Sequence, residues 1–382
     1  MVVKFNSIRA KLGRGIRRVA KGFGLPTCGP LSVRYGKVKG LETIDPERTK
    51  EATPSTPVLP KIHPLLATNP ISYRSTWLAK LKGLRVFGPT VSVVDQAGQL
   101  LADVSVEWGR KAEENWAFRR LLLPKAQPVS GRTLVLASTG GDTYFHWMTD
   151  VLPRLGLARR GGHDPASFDW VLVNGLTHPF QQETLKHIGI PKNRCLFFNK
   201  TELAYEMEEA LLPSLPGVPG VVPPETVEFL QSTFPTKKIG TGRKLFIGRG
   251  GAKHRALIHE GEIAVMLSER GFESVECEKL SVQEQANIFG SAEVVVGAHG
   301  AALTNLVFCR PGTQVVELFS PAYVNPCYRD LCVAVNLSHA AVVGDGRNWV
   351  LSEKHDEPSA AITASWEMLK KVLETVGFTG LA

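Results

Sequence analysis

Residues 243–320 read RKLFIGRGGAKHRALIHEGEIAVMLSERGFESVECEKLSVQEQANIFGSAEVVVGAHGAALTNLVFCRPGTQVVELFS. Short apolar runs (KLFIG, EVVVG, QVVELF) alternate here with stretches of helical periodicity. Parallel strands buried on both faces read as such continuous runs, so the pattern predicts a βαβ nucleotide-binding half. Three of the junctions carry Gly, Arg, Lys or His. Loops of that composition at the ends of parallel strands suit an anion, which points to a phosphorylated ligand.

The first of these loops, GRGGAKHR at 248–255, holds tandem glycines with Arg249, Lys253, His254 and Arg255. A phosphate site wants backbone N–H groups together with guanidinium or ammonium groups, and this loop offers both. It is not a P-loop, because GxxxxGK[ST] is absent. The plain alternative is a solvated basic turn. Next, Ser281 and Glu284 form a capping box, which is structural. In AEVVVGAHGAALTNLVF, Gly297 and Gly300, with Ala298, Ala301 and Ala302, allow close backbone approach where strand turns into helix. His299 sits in that turn, well placed to meet a ligand. Glu317 is the only charge in the strand TQVVELF. It is expected either to accept bonds from ribose hydroxyls or to be a buried carboxylate with a basic partner.

Upstream, residues 138–155 read STGGDTYFHWMTDVLPRL. Gly140-Gly141 breaks a strand, and Asp142 or Thr143 can cap the following helix. His146 and Asp150 are four apart and share one helical face, which Arg154 continues. Such a pair can act as a general base, either as an imidazole charged and oriented by the carboxylate or as Asp150 itself. The structural alternative is a satisfied polar network that locks the helix.

Further out, LRVFGPTVSVVD and QLLADVSVEW predict a hairpin around Gln96-Ala97-Gly98, and 84–225 reads as a first α/β domain. PGVPGVVPP at 216–224 cannot continue a helix or central strand, so it is the expected linker. Residues 226–382 form the second domain, closed by an amphipathic helix in SAAITASWEMLKKVLETVGF. Residues 1–80 read as a basic N-terminal helix and a connecting segment.

The chain has 382 residues, 43% hydrophobic and 21% charged, and a net charge of +9. That charge belongs to one arm. Residues 1–41 hold ten Lys/Arg and no acid, leaving 35 basic against 36 acidic residues elsewhere. Phe5, Ile8, Leu12, Ile16, Val19 and Phe23 recur at three- and four-residue steps, which predicts an amphipathic helix over 1–23. Three uses are open for it: lying on an anionic membrane surface, docking on the body, or binding nucleic acid or acting as a targeting peptide. The neutral body makes nucleic acid an unexpected partner. No apolar run is long enough to span a bilayer. Six cysteines without a CxxC pair suit reduced thiols in a cytoplasmic setting, with a Cys327–Cys332 bridge as the minor alternative.

Taken together, YFHWMTDVLPRL, FIGRGGAKHRALIHEGEI, SVQEQANIFGSAEVVVGAHGAALTNLVFCRPG and VVEL resemble glycosyltransferase family 61, which includes bacterial capsular and exopolysaccharide biosynthesis proteins. The resemblance covers about residues 130–335. It implies a GT-B-like α/β architecture of two Rossmann-like domains facing an interdomain cleft. It implies inverting transfer of a sugar from a nucleotide-sugar donor to a glycan or lipid-linked glycan acceptor, at the cytoplasmic face of the membrane. Arg249, Lys253 and Arg255 would meet the donor's phosphates. Gly297, His299, Gly300, Asn305 and Glu317 would line the donor site, and His146 and Asp150 would serve as base candidates. One departure is His259-Glu260, where many relatives carry Asn-Glu. The chain has no Asp-x-Asp signature, and its arginines can stabilise a departing diphosphate, so no metal is expected. Rival readings are a non-catalytic nucleotide- or carbohydrate-binding protein on the same fold, a basic-arm nucleic-acid protein, and nucleotide-sugar epimerisation.

Overall fold

The computed structural model describes residues 11–19, 32–34, 41–344 and 359–378, apart from 52–53, 57, 61–62, 68, 89, 121–122, 199–202, 238–239, 241 and 253. The chain divides into two compact units, residues 1–47 with 74–219, and residues 48–73 with 220–382. The crossing at 219/220 falls inside the Pro/Gly stretch 216–224. Within residues 24–80, read from sequence as a connecting segment with short elements, the described strands join both units. It is a mixed α/β fold with one mixed sheet, one parallel sheet and a two-stranded antiparallel sheet of Arg48–Glu51 and Pro70–Tyr73.

In the first unit, nine strands form one sheet. Thr76–Phe87 lies near its middle. It pairs antiparallel with Ala204–Pro213, Ser92–Val94 and Leu41–Asp45. Ser92–Val94 and Gln99–Leu101 make the expected hairpin, turning at Gly98 with φ of 81°. On the other side Ala204–Pro213, Gln127–Val135, Trp170–Val173 and Cys195–Phe197 run parallel. Parallel neighbours need crossovers, which helices within 144–160 and at Pro179–Ile188 provide. Trp77, Leu84, Val86, Val135, Leu172 and Met207 fill the core of this sheet.

The second unit is a six-stranded sheet, parallel throughout. Across it run Phe272–Ser274, Arg243–Ile247, Ala292–Ala298, Gln314–Phe319, Ser338–Val343 and the short Val58–Leu59. Setting the last aside, chain order is 2-1-3-4-5. In that doubly wound order the connections leave strands one and three in opposite directions. A crevice therefore opens outside the carboxyl ends of Arg243–Ile247 and Ala292–Ala298. The helices Glu260–Ser268, Val282–Gly290, Cys327–Val335 and Trp366–Thr375, together with Pro224–Thr233, complete the unit. Ser281 and Glu284 close the expected capping box on the second of them. Trp366, Leu369, Val372 and Leu373 bury the apolar face of the last helix with Ile263 and Leu267.

Two sequence expectations change at this level. Residues Ala301–Phe308 form eight residues of 3-10 turns rather than an α-helix. Leu303 folds tightly back, its N–H donating to the Gly300 carbonyl at 3.0 Å. Thr143 is the N-cap of its helix without a side-chain cap bond, because its hydroxyl donates to the Gly140 carbonyl at 2.9 Å. Cys195, Cys277, Cys309, Cys327 and Cys332 are free and buried, and Cys28 lies outside the described residues.

Candidate functional site

In the second unit, the loops after Arg243–Ile247 and Ala292–Ala298 both leave the sheet at the crevice. Arg249 and Arg255 come from the first loop and His299 and Gly300 from the second. The two guanidiniums are near enough that the charge on Arg255, after burial, helps hold the Arg249 pKa below its usual value. Paired cations repel one another, so an anion between them relieves that cost. Arg249 Nη2 donates to the His254 carbonyl at 2.8 Å. Arg255 Nε donates to the His299 carbonyl at 3.1 Å, and its guanidinium lies over the Tyr323 ring at 5.2 Å. Lys253 lies outside the described residues.

The loop's backbone behaves differently from the expectation. The N–H groups of Arg249 and Gly250 both donate to the Glu260 carboxylate, each at 2.9 Å. Glu260 thus fills an anion cradle from within the chain, and the loop's offer to a ligand is its guanidiniums. Gly248 makes room for this carboxylate, since a Cβ there would lie 2.3 Å from Glu260 Oε1. The signal for Glu260 was an acid at the start of the helix that follows a Gly-rich loop.

Glu317 is fully buried. Its Oε1 pairs with His299 Nδ1 at 2.5 Å and its Oε2 with His339 Nε2 at 2.9 Å. His339 Nδ1 in turn meets Ser55 Oγ at 2.7 Å. Both carboxylate oxygens are therefore taken, which leaves no open edge for a ribose hydroxyl. Of the two sequence alternatives, the structure shows the buried carboxylate, with two imidazoles as its basic partners. Burial holds the Glu317 carboxyl well above its ordinary range. Burial, then the charges of Arg255, Arg249 and His339, lowers His299 to about 3. Burial and Arg329 lower His339 to about 3. Both imidazoles are thus neutral at physiological pH. His299 is only 4% exposed, packed among Phe319, Tyr323 and Tyr328. Its contribution to the crevice is the carbonyl that holds Arg255. His339 and Ser55 escaped the sequence reading, because neither sits in a patterned loop.

The remaining residues of this set sort by packing. A Cβ on Gly300 would lie 1.9 Å from Arg249 Nη1, so this glycine lets the guanidinium lie against the turn. A Cβ on Gly297 would lie 2.4 Å from Leu303 Cδ2, so that glycine serves strand-to-turn packing. Asn305 is fully buried, and its Nδ2 donates to Gln285 Oε1 at 2.6 Å and to the Ala302 carbonyl at 3.0 Å. It braces the turn rather than facing the crevice.

In the first unit, the chain leaves Gln127–Val135 and enters a helix at Tyr144–His146. A π-helical turn, Trp147–Val151, follows, and the α-helix resumes at Pro153–Arg160. Pro153 explains the loosening, because it cannot donate to the preceding turn and its ring crowds it. His146 Nδ1 meets Asp150 Oδ2 at 2.6 Å. Asp150 is buried, whereas the His146 side chain keeps 17% of its exposure. The Trp108 ring stacks on His146 with centroids 4.7 Å apart and is itself 52% exposed. Gly140, with φ of 78°, is required twice: a Cβ there would lie 2.4 Å from the Trp108 ring and 2.9 Å from His146 Cδ2. The loop bearing Trp108 also lines a cavity of about 490 Å3 through Ser105, Val106, Glu107 and Arg110.

Arg154 is wholly buried. It donates to the carbonyls of Ala137 and Pro213. Burial lowers its pKa to about 9, against the opposing charge of Asp150. The contact with Asp150 occupies His146 Nδ1 and leaves Nε2 as the ring nitrogen outside that pair. Among the described residues no cluster of three His, Cys, Asp or Glu side chains could hold a metal ion.

Comparison with known proteins follows the same map. Residues 144–316 match the family described as Glycosyltransferase 61. The match contains His146, Asp150, Arg249, Arg255 and His299, and stops one residue before Glu317. A stretch of 93 residues is 28% identical to a beta-1,2-xylosyltransferase of Arabidopsis thaliana, covering 24% of this chain and 16% of that protein. Another of 47 residues is 45% identical to a beta-1,2-xylosyltransferase of Oryza sativa subsp. japonica, covering 12% of this chain and 9% of that protein. The chain thus spans well under a fifth of the length of either relative.

Proposed function

We propose that this protein is a glycosyltransferase that moves a sugar from a nucleotide-sugar donor to an acceptor hydroxyl. The observation that carries the reading is the Arg249–Arg255 pair at the switch point of a doubly wound sheet, inside the stretch that matches the family. Ligands of such sheets bind outside the carboxyl ends of the strands at that point. The distant xylosyltransferase relatives favour a pentosyl donor.

In this reading Arg249 and Arg255 bind the donor diphosphate and stabilise its charge as it departs. Two guanidiniums supply the positive charge that a divalent ion provides elsewhere, so transfer is metal-independent. His146 Nε2 accepts the proton of the acceptor hydroxyl as the oxygen attacks the anomeric carbon. Asp150 stabilises the imidazolium so formed. A single displacement of this kind inverts the anomeric configuration. The exposed face of Trp108, beside the base, stacks an acceptor sugar ring, and the acceptor is a growing or lipid-linked surface polysaccharide made in the cytoplasm.

The test is a melting-temperature screen of the purified chain against UDP, GDP, CMP and dTDP and their sugars, with EDTA in parallel wells. A ligand that binds only the folded state raises the midpoint by mass action. The expected result is a shift with one nucleotide class, unchanged by EDTA and lost in Arg249→Ala. Removing one charge-assisted pair should weaken binding by about 10- to 100-fold. No shift with any nucleotide, with or without metal ions, would overturn the donor site. A shift without turnover on any acceptor would favour the binding-protein alternative.

A further inference from the structure

The helix at residues 11–19, KLGRGIRRV, is mounted with its faces reversed. An amphipathic helix on a water-soluble body normally buries its apolar stripe and exposes its charges. Here Gly13 and Arg17 are the buried positions. Arg17 Nη1 donates to the Arg120 carbonyl at 2.6 Å, and its Nη2 to the Ala117 carbonyl at 3.1 Å. Arg14 Nη1 donates to the Glu113 carbonyl at 2.5 Å, and its guanidinium lies over the Phe118 ring at 4.7 Å. Gly13 permits the close fit, since a Cβ there would lie 2.5 Å from the Phe118 carbonyl oxygen.

The opposite face carries Leu12, Ile16 and Val19, spaced four and three apart and so aligned along one side. They are 57%, 45% and 60% exposed. Among the described residues only seven large apolar side chains are exposed, and three of them form this one row. Lys11 and Arg18 flank the row and are exposed. The surrounding arm, residues 1–41, holds ten cations and no anion.

We propose that this helix lies in the plane of an anionic lipid surface. Leu12, Ile16 and Val19 enter the headgroup–acyl boundary, and Lys11 and Arg18 meet lipid phosphates. The arginine face, already bonded to the carbonyls of 113–120, fixes the first unit to that surface. Charge complementarity selects the occupant: a cationic rim around an aliphatic row suits an anionic bilayer. A second protein copy fits poorly. Nine helical residues span about 13 Å, and three aliphatic side chains over that length fall well short of the roughly 800 Å2 per partner of a stable protein interface. The inference stands independently of sugar transfer.

Co-sedimentation of the full chain with vesicles tests it. One set is pure phosphatidylcholine, and the other contains phosphatidylglycerol. The expected result is binding to the anionic vesicles, reduced at least about tenfold in the triple variant Leu12→Gln/Ile16→Gln/Val19→Gln. It should also weaken in Lys11→Glu/Arg18→Glu and with added salt. All the substituted side chains are exposed, so an unchanged melting curve serves as the folding control. Equal sedimentation of wild type and triple variant would overturn insertion, even if the charge variant lost binding. So would a wild-type dimer, monomeric in the triple variant, that binds no vesicles.

Discussion

Two glycines, Gly297 and Gly300, stand three residues apart in one turn and have different reasons to be glycine. An added methyl at Gly300 meets the far end of a flexible side chain, the Arg249 guanidinium. Gly300→Ala is therefore expected to leave the melting temperature almost unchanged while displacing Arg249, weakening nucleotide binding about tenfold or more. An added methyl at Gly297 meets Leu303 inside the core. Gly297→Ala is expected to cost about 1–3 kcal/mol of stability through overpacking. Urea unfolding and nucleotide titration of both variants check the pair. If Gly300→Ala unfolds the protein, or leaves the affinity untouched, the placement of Arg249 is wrong. The small residues of this turn were visible in the sequence. Which of them packs against Arg249 and which against Leu303 was not, because that depends on what approaches across the sheet.

The helical segment 144–160 carries the His146–Asp150 pair of the first unit. Its π turn, Trp147–Val151, starts just after the base candidate and contains the carboxylate, ahead of Pro153, which withholds a backbone donor. His146→Ala is expected to lower kcat by about 10²–10⁴, with nucleotide affinity unchanged. Asp150→Asn should lower it as well. It should also reduce stability by about 1–3 kcal/mol, because buried Arg154 loses its counter-charge. Trp108→Ala should raise the acceptor KM more than it lowers kcat. Steady-state kinetics with the donor that the melting screen selects would separate these outcomes, and full activity in His146→Ala would remove it as the base. The His146–Asp150 pair was legible because four-residue spacing on a helix is a local property. Trp108 was not, since a single aromatic in an irregular loop carries no period. The same distinction governs the sheets. Runs such as VVVG and WVLV announced buried parallel strands. Ser32–Arg34, Leu41–Asp45 and Val58–Leu59 did not stand out, because short strands are specified by distant pairing partners and not by their own pattern.

At the scale of the whole molecule, the buried chain Ser55–His339–Glu317–His299 ties residues from three separate regions of sequence into one sheet. It makes the fold acid-sensitive in a calculable sense. Unfolded histidine takes up a proton near its ordinary pKa of 6.5, whereas His299 and His339 stay neutral down to about 3. Glu317 opposes them, because burial keeps it protonated well above the 4.5 of the unfolded side chain. Between 6.5 and 4.5 the unfolded chain thus gains two protons at the histidines, an excess that the proton retained at buried Glu317 in the folded chain reduces. Between 4.5 and 3 the glutamate is protonated in both states, so the unfolded excess is two. More protons on the unfolded side mean stability falls as pH falls. The histidines' contribution is complete above about 6.5 and is lost down to about 3, whereas the Glu317 contribution has the opposite sign and is lost as pH rises through its raised folded pKa. The network's slope is about 1.4 kcal/mol per pH unit for each excess proton, steepening below 4.5. His339→Asn removes one of the two histidines, so its slope should be shallower than wild type by about one proton across this window. Urea unfolding of both full chains at a series of pH values measures the difference, in which every group remote from the network cancels. Parallel curves would mean that His339 is protonated as readily inside the fold as outside it.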